Sequence, residues 1–415
     1  NVRGGKTDHN LILLDVAAIY NPSHLFGIFS AINPFTTGEV NIYKGNLPSE
    51  YGGRLSSVFD ISSKDANTRE FAGEVSVGPV TGNVTLELPV IEDKAGIMVG
   101  ARGAYAGWIL RSLDEEQLKN SEASFYDVIL KYNHEISEKD DFKASAYYSR
   151  DRFSITSDSI YGYSNRLFSA GWQHEINSKH NYQVTLSNSE YKFDIEYDGD
   201  FTNDFDLNYK NTETELKLKF NYLHDDEKRF NYGLSAKLYG IEPGEVNPLG
   251  PESIVEAKKV EKERGLETAL FVSSDIELSE KFAIDAGLRY SFYSLLGIAT
   301  QRTYTAGLPK SDATLEETLT FGENEFVKTY GGLEARLSAR YLLAEDFSVK
   351  ASYNNTFQYI HTLTTNTTVS PTDTWKLSDL NVKPQRAQQF ALGFYKNFQD
   401  NMYEFSLEGY YKTYN

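Results

Sequence analysis

The chain has 415 residues, 40% of them hydrophobic, with no cysteine and a formal net charge of -18. That length can bury a large core and exceeds one ordinary domain unless the domain is a big barrel; the lack of cysteine excludes disulfides, thiolate catalysis and cysteine-ligated zinc, and the acidic balance argues against a nucleic-acid partner, which needs a basic face. No run of about 18 apolar residues occurs, so no membrane-spanning helix is expected, whereas a mean hydropathy of -0.47 does not exclude a membrane barrel, whose alternating strands dilute the average.

The chain opens in NVRGG, a glycine-rich turn, with no basic, apolar and cleavage regions of an export signal, and reads as the middle of a domain. The first 65 or so residues, rich in Gly, Asn and Pro, hold short apolar runs at LILLD (11 to 15), GEVNIYKG (38 to 45) and SSVFDISSK (56 to 64). These predict a small mixed domain of short strands and turns.

From residue 69 onward about 15 stretches alternate with period two, the strand signature. Clear ones are DFKASAYYS (141 to 149), TELKLKFNY (214 to 222), FNYGLSAKLY (230 to 239), KFAIDAGLRYSF (281 to 292), DFSVKASYN (346 to 354) and YEFSLEGYY (403 to 411). Short polar turns at 137 to 141, 177 to 181, 224 to 229, 279 to 281, 344 to 346 and 398 to 401 take turns with long segments near 107 to 123, 198 to 210, 244 to 263, 294 to 325 and 355 to 385. An up-and-down membrane barrel with tight periplasmic turns and long extracellular loops predicts this rhythm, and a Greek-key sandwich does not. The 29 Tyr and 25 Phe residues suit both strands and the girdles at membrane boundaries. In GGLEARLSARYLL (331 to 343) the barrel reading turns Leu333, Ala335, Leu337 and Ala339 to lipid and Glu334, Arg336 and Arg340 to the lumen.

Two connections invite a site. LRSLDEEQLKN (110 to 120) has the pattern of a short amphipathic helix, and Trp375 in TNTTVSPTDTWKLSDL (365 to 380) suits stacking on a ligand ring or packing of the loop on its neighbours. His9, His24 and the other histidines lack metal-ligand spacing, and the acidic runs at 114 to 116 and 224 to 228 lack an EF-hand pattern, so no metal site is expected. No nucleophile elbow, phosphate loop or dinucleotide fingerprint occurs, so neither an enzyme nor a cofactor is expected.

The N-terminal portion resembles the plug of TonB-dependent outer-membrane receptors, particularly a branch common in Bacteroidetes-type bacteria. The pieces are VRGG (2 to 5), NLILLD (10 to 15), IYNPSHLFGIFSAINP (19 to 34), VNIYKG (40 to 45) and YGGRLSSVFDI (51 to 61). The likeness continues through LELPVIEDKAG (86 to 96), SFYDVILKYNHEI (124 to 136), GLRYSF (287 to 292), KASYNNTFQYIHTL (350 to 363), SPTDTWKLS (370 to 378) and KPQRAQQFALGFYKNF (383 to 398). Two departures stand out: Val16 replaces the family's usual Gly after LLD, and FTTGEV (35 to 40) replaces a usual acidic residue after NP.

The resemblance implies an all-β transmembrane barrel, about 22 antiparallel strands when complete and about 15 here, with a small mixed α+β plug inside the lumen. Residues 1 to 66 would be the C-terminal part of the plug and 67 to 415 the first part of the barrel. It implies a bacterial outer-membrane receptor that binds a scarce solute in extracellular loops and imports it with the TonB-ExbB-ExbD system. Outer-membrane lipid or lipopolysaccharide and a surface lipoprotein are further expected partners. An accessory plugged barrel that scaffolds a larger outer-membrane complex is the alternative. Arg3 with Gly4 and Gly5, and Arg54 after Gly52 and Gly53, are the plug candidates: the arginines to pair with lumenal carboxylates and lock the plug, or only to cap turns, and the glycines to shape the turns.

Overall fold

In the computed structural model, which describes residues 2 to 105, 107 to 112, 121 to 156, 158 to 199, 202 to 363, 373 to 399 and 401 to 415, alternating sequence becomes long antiparallel strand. The N-terminal segment holds β1 (Leu11–Leu14), β2 (Ala17–Ala18), β3 (Ser23–His24), β4 (Phe29–Ser30), β5 (Thr37–Tyr43) and β6 (Val58–Ser63). Its helical content, among the described residues, is three 3₁₀ turns, at Thr7–His9, Leu25–Gly27 and Pro34–Thr36. Four strands form a small sheet in the order β2-β1-β6-β5, with β1 parallel to β6, and β3 pairs with β4.

There follow β7 (Ala72–Val77), β8 (Thr81–Ile91), β9 (Ala95–Ala104), helix α1 (Gly107–Ser112), β10 (Glu122–Ser137), β11 (Asp140–Thr156), β12 (Ser159–Asn177), β13 (His180–Tyr197), β14 (Phe205–Asp225) and β15 (Lys228–Pro248). Then come β16 (Lys258–Lys259), β17 (Glu263–Ser279), β18 (Phe282–Leu296), β19 (Ala299–Tyr304), β20 (Leu315–Phe321), β21 (Phe326–Ala344), β22 (Phe347–Gln358), β23 (Ile360–Thr362), β24 (Trp375–Leu377), β25 (Gln385–Phe398) and β26 (Tyr403–Tyr414). The large sheet follows chain order from β7 to β26, each strand antiparallel to the one before. The pairs β19-β20 and β23-β24 stand apart from that path as hairpins in the long connections, and β16 pairs with β15 at its side.

Of the helix expected at 110 to 120, residues 110 to 112 fall in α1, which starts earlier, at Gly107, and residues 113 to 120 lie outside the described residues. The long segments expected near 198 to 210 and 244 to 263 are shorter than the sequence suggests, because β14 and β15 reach into them with 21 residues each. At roughly 3.3 Å per residue such a strand is far longer than the 9 to 11 residues of a bilayer crossing, so its far end stands clear of the hydrocarbon. Tertiary pairing extends these strands: the β14-β15 ladder runs from Phe205 opposite Pro248 to Asp225 opposite Lys228.

One face of the large sheet is polar and covered by the N-terminal segment; the other is apolar and bare. On β21 Glu334 and Arg336 are buried, at 0% and 3% exposure, while their neighbours Leu333 and Leu337 are exposed at 57% and 50%. Leu216, Leu234, Leu270, Leu288 and Leu392 are bare on the same outward side. Apolar surface of this extent requires lipid against it.

The β1-β2 turn shows what the Val16 departure does. Asp15 and Val16 both adopt left-handed backbone, with φ of 45° and 67°, so the turn keeps a shape that glycine adopts freely and a β-branched residue resists. Asp15 is held there by Ser63, whose N and Oγ donate to its carboxylate at 2.9 and 2.6 Å.

Two outcomes follow. Val16→Gly should stabilise the turn by about 1 kcal/mol, read as a rise in the denaturant midpoint of the purified protein. Leu337→Arg should cost about 2 to 4 kcal/mol if that position lies near the bilayer midplane, measured by urea titration in lipid vesicles.

Candidate functional site

Polar side chains on the inward face lose water when the N-terminal segment covers them, so each needs a partner there. The densest group joins β17, β18 and β21. Arg336 donates from Nη2 to Glu334 at 2.7 Å and to the Tyr51 carbonyl at 2.6 Å, and from Nη1 to the carbonyls of Leu47 and Pro48. Arg289 donates to Glu267 at 3.4 Å and to the Glu50 carbonyl at 3.2 Å, and Tyr239 donates to Glu267 at 2.8 Å. Arginine forks thus read the irregular backbone of residues 47 to 51, which has no ladder of its own to satisfy its carbonyls. Gly52 permits the approach, because a Cβ there would strike the Arg289 guanidinium, and Gly53 turns the chain with φ of 78°.

A second group lies across β9, β10 and β11. The His24 ring stacks on Phe125 at 4.1 Å, Nδ1 is 2.6 Å from Asp151 and Nε2 3.4 Å from Asp127. Arg102 donates to Asp127 at 2.6 Å and to the Ser30 carbonyl at 2.7 Å, and the Leu25 N–H donates to Asp151 at 3.0 Å. His24, Asp127 and Asp151 are all at most 1% exposed. Burial alone would lower the His24 pKa, but hydrogen bonds to Asp127 and Asp151, with their charges, outweigh it and raise the value. Burial wins at His9 and His361, pushing both down to about 4. Lys131 of β10 makes a third tie, donating to the Ser63 carbonyl at 2.6 Å and lying 3.3 Å from Asp15.

The residues singled out by sequence fall in different places. Arg3, on a turn shaped by Gly4 (φ 69°) and by Gly5 backed against Ser56, pairs with Glu408 of β26 at 2.5 Å. Arg54 is buried with no carboxylate at ion-pair distance among the described residues; it sits beside the rings of Tyr20 and Trp375, at 5.9 and 5.5 Å, and donates to the Gly53 carbonyl at 2.9 Å. Tyr20 links this group onward, donating to Glu213 at 2.8 Å. Trp375 meets Tyr20 edge-on at 5.2 Å and is 7% exposed. Its ring is therefore packed against Tyr20 and Arg54 of the N-terminal segment. Glu334 and Arg336 belong to the densest group, whereas Arg340 is exposed and lines a polar cavity of about 280 Å³ with Asp275, Asp285 and Lys350.

In the sequence His24 shows only a lack of metal-ligand spacing, which gives no hint of its two carboxylate partners. The available signal was parity: Asp127 and Asp151 each occupy the inward register of a strand, where a carboxylate requires a partner from elsewhere in the chain.

A family model described as TonB dependent receptor-like, beta-barrel matches residues 100–415. No curated protein matches the chain. Among solved structures it is similar to the open form of the ferric-catecholate import receptor Fiu from E. coli K12, with a TM-score of 0.66 at 12% identity over 100% of this chain and 69% of that one. It is also similar to the Serratia marcescens hemophore receptor HasR, in complex with its hemophore HasA and heme, with a TM-score of 0.68 at 13% identity over 99% of this chain and 65% of that one. The copper transporter OprC gives 0.69 at 9% identity over 98% and 64%. The chain thus spans about two thirds of the length of these proteins, and at such identities the likeness is one of fold.

The seam makes two measurable demands. Arg336→Ala leaves the buried Glu334 only the looser contact with Arg289 at 3.8 Å and should cost about 3 kcal/mol, seen in a urea titration. For His24 the raised pKa means that its stabilisation is complete below 6.5, its ordinary value, and is lost as pH climbs through the raised folded value. Hydrogen exchange at the Leu25 amide, corrected for intrinsic rate, should therefore quicken from pH 6 to pH 9, and His24→Gln should remove that dependence.

Proposed function

Because the chain belongs to the family of TonB-dependent receptors, which are outer-membrane proteins of Gram-negative bacteria, we propose that it captures a scarce solute at its long extracellular connections and imports it past the N-terminal segment when TonB pulls on that segment. In this reading residues 1 to 66 are part of the plug and residues 67 to 415 part of the barrel. The observation that carries it is the seam itself: the segment is held on the inward face largely by ion pairs and hydrogen bonds, which break and re-form without a covalent step. Binding alone cannot move a solute against its gradient, because a ligand shifts an equilibrium only by its differential affinity. The mechanical input comes from TonB, the coupling partner of this family, with ExbB and ExbD as its proposed inner-membrane source of energy.

Arg3, Arg54, Glu334 and Arg336 are the proposed locking residues. Arg3 ties the segment to β26 through one exposed-side ion pair, Arg54 secures it through rings and the Tyr20-Glu213 bond, and Arg336 through three carbonyls. Gly52 and Gly53 serve the lock by letting the backbone reach Arg289. The similar structures are those of a ferric-catecholate import receptor, a hemophore receptor in complex with its hemophore and heme, and a copper transporter, and a scarce metal-bearing solute is accordingly the first class to test here.

The test is uptake of labelled metal chelates and glycans by cells carrying the full-length gene or its deletion, with and without functional TonB. Loss of one solute in both the deletion and the TonB-deficient strain is the expected result. Retained uptake of every solute would refute import. Replacing Arg3 and Arg54 by Ala should raise the mobility of the segment, measured by spin labels on residues 41 and 44, and unchanged mobility and uptake would refute the locking role.

A further inference from the structure

The polar cavity of about 280 Å³ at the short-turn end of β15, β17, β18, β21 and β22 has no part in the ties described above. Side chains enter it by strand parity. Asp275 lies an even number of residues from the buried Glu267, Asp285 from Arg289, Arg340 from Arg336 and Lys350 from Asn354, so all four belong to the inward face.

The ladders set like against like. Asp275 faces Asp285 directly across β17 and β18, with the two side chains in hydrogen-bond reach, and Arg340 faces Lys350 directly across β21 and β22. Opposed like charges repel. A carboxylate against each cation would relieve both pairs. Yet neither Arg340 nor Lys350 has one at ion-pair distance among the described residues, and neither does Arg229, which faces Asp275 across β15 and β17. The other charged groups lining the cavity, Asp226, Glu227 and Glu277, add negative charge beside the short turns. On the N-terminal segment, Glu50 is taken by Lys219 at 2.8 Å.

A hydrogen bond between two carboxyl groups requires a proton on one of them, so the contact of Asp275 with Asp285 is that of a pair sharing one proton. The pair then carries a single charge, stays together and leaves the cations unclaimed. It also holds the segment, because Asn46 Nδ2 donates to Asp285 at 2.5 Å. The next inward positions of β18 carry the next residues of the same stretch. A Cβ on Gly287 would come within 3.1 Å of Ser49, and Arg289 donates to the Glu50 carbonyl at 3.2 Å. Residues 46 to 50 thus lie along β18, with an arginine at one end and the carboxyl pair at the other.

We propose that Asp275 and Asp285 form a proton-operated catch on the segment. With one proton shared, Asp285 accepts from Asn46 and the stretch is held. When that proton leaves to solvent, the two carboxylates repel, Asp285 turns into the cavity toward Lys350 and Arg340, and Asn46 is released. The freed charge meets cations already in place. The catch rests on the reading of residues 1 to 66 as part of a plug and adds its regulation by the acidity of water at the short-turn mouth.

The test follows a spin label at residue 44 of the purified full-length protein in lipid vesicles from pH 6 to pH 9. Neither solute nor TonB is present, so a failure of import leaves this outcome intact. Label mobility should rise with pH, because the catch is closed while the proton is held. Asp275→Asn, which cannot repel Asp285, should keep the label immobile throughout. Lys350→Gln removes a waiting cation, disfavours the open state and should move the midpoint up by roughly half a pH unit, the worth of one partly exposed ion pair. His24→Gln should leave the response in place, because its tie lies at β10 and β11. A flat response in the native protein, a response unchanged by Asp275→Asn, or a Lys350→Gln midpoint that does not rise would each overturn the catch.

Discussion

Four ionisable side chains, Glu267, Arg289, Glu334 and Arg336, lie on the inward face with at most 3% exposure. Charges removed from water must be answered by other charges and by dipoles, and a shortfall of one partner costs more than the whole arrangement gains. Here the answer comes partly from neighbouring strands and partly from the carbonyls of residues 47 to 51. The sheet and the N-terminal segment therefore complete one another: the sheet lends donors to an irregular backbone, and the segment keeps the arginines from being stranded.

The same constraint explains why the segment is held by several separate ties. His24 reaches β10 and β11, Lys131 reaches back from β10 to the end of β6, and Arg3 reaches β26. Apolar packing contributes as well, through Tyr20, Leu47 and Tyr51 against rings of the sheet. Apolar contact is non-directional and loses its strength gradually with area, whereas a hydrogen-bonded ion pair is lost over a short displacement. In the proposed import cycle, where the segment stays in place and then gives way under load, the second kind serves better. The outward face obeys the opposite rule, because lipid offers no partner to a polar group and leaves charge only at the boundaries.

Much of this architecture was legible in the chain. Period-two alternation located the strands, and the rhythm of short and long connections indicated which ends of the strands lie together. Composition placed the first 65 or so residues apart from the rest. The alternation in GGLEARLSARYLL was enough to separate Leu333 and Leu337 from Glu334 and Arg336, because side-chain direction in a strand is a local property. Where the reading fell short, the missing information was not local. His24 looked like any turn histidine, and Trp375 looked as ready to meet a ligand as to pack a loop.

What the sequence by itself determined is the class of structure: antiparallel strands with one polar and one apolar face, preceded by a glycine-rich segment that cannot form a sheet of that size. Backbone geometry alone sets that outcome. Only the tertiary structure decided the partners: Asp127 and Asp151 for His24, Glu408 for Arg3, a pair of rings for Arg54, and Tyr20 for Trp375. The contacts reach as far as 405 positions along the chain, from Arg3 to Glu408. No pattern of spacing encodes them, because they depend on register between strands and on how the segment settles against the sheet once its charges have to be satisfied together.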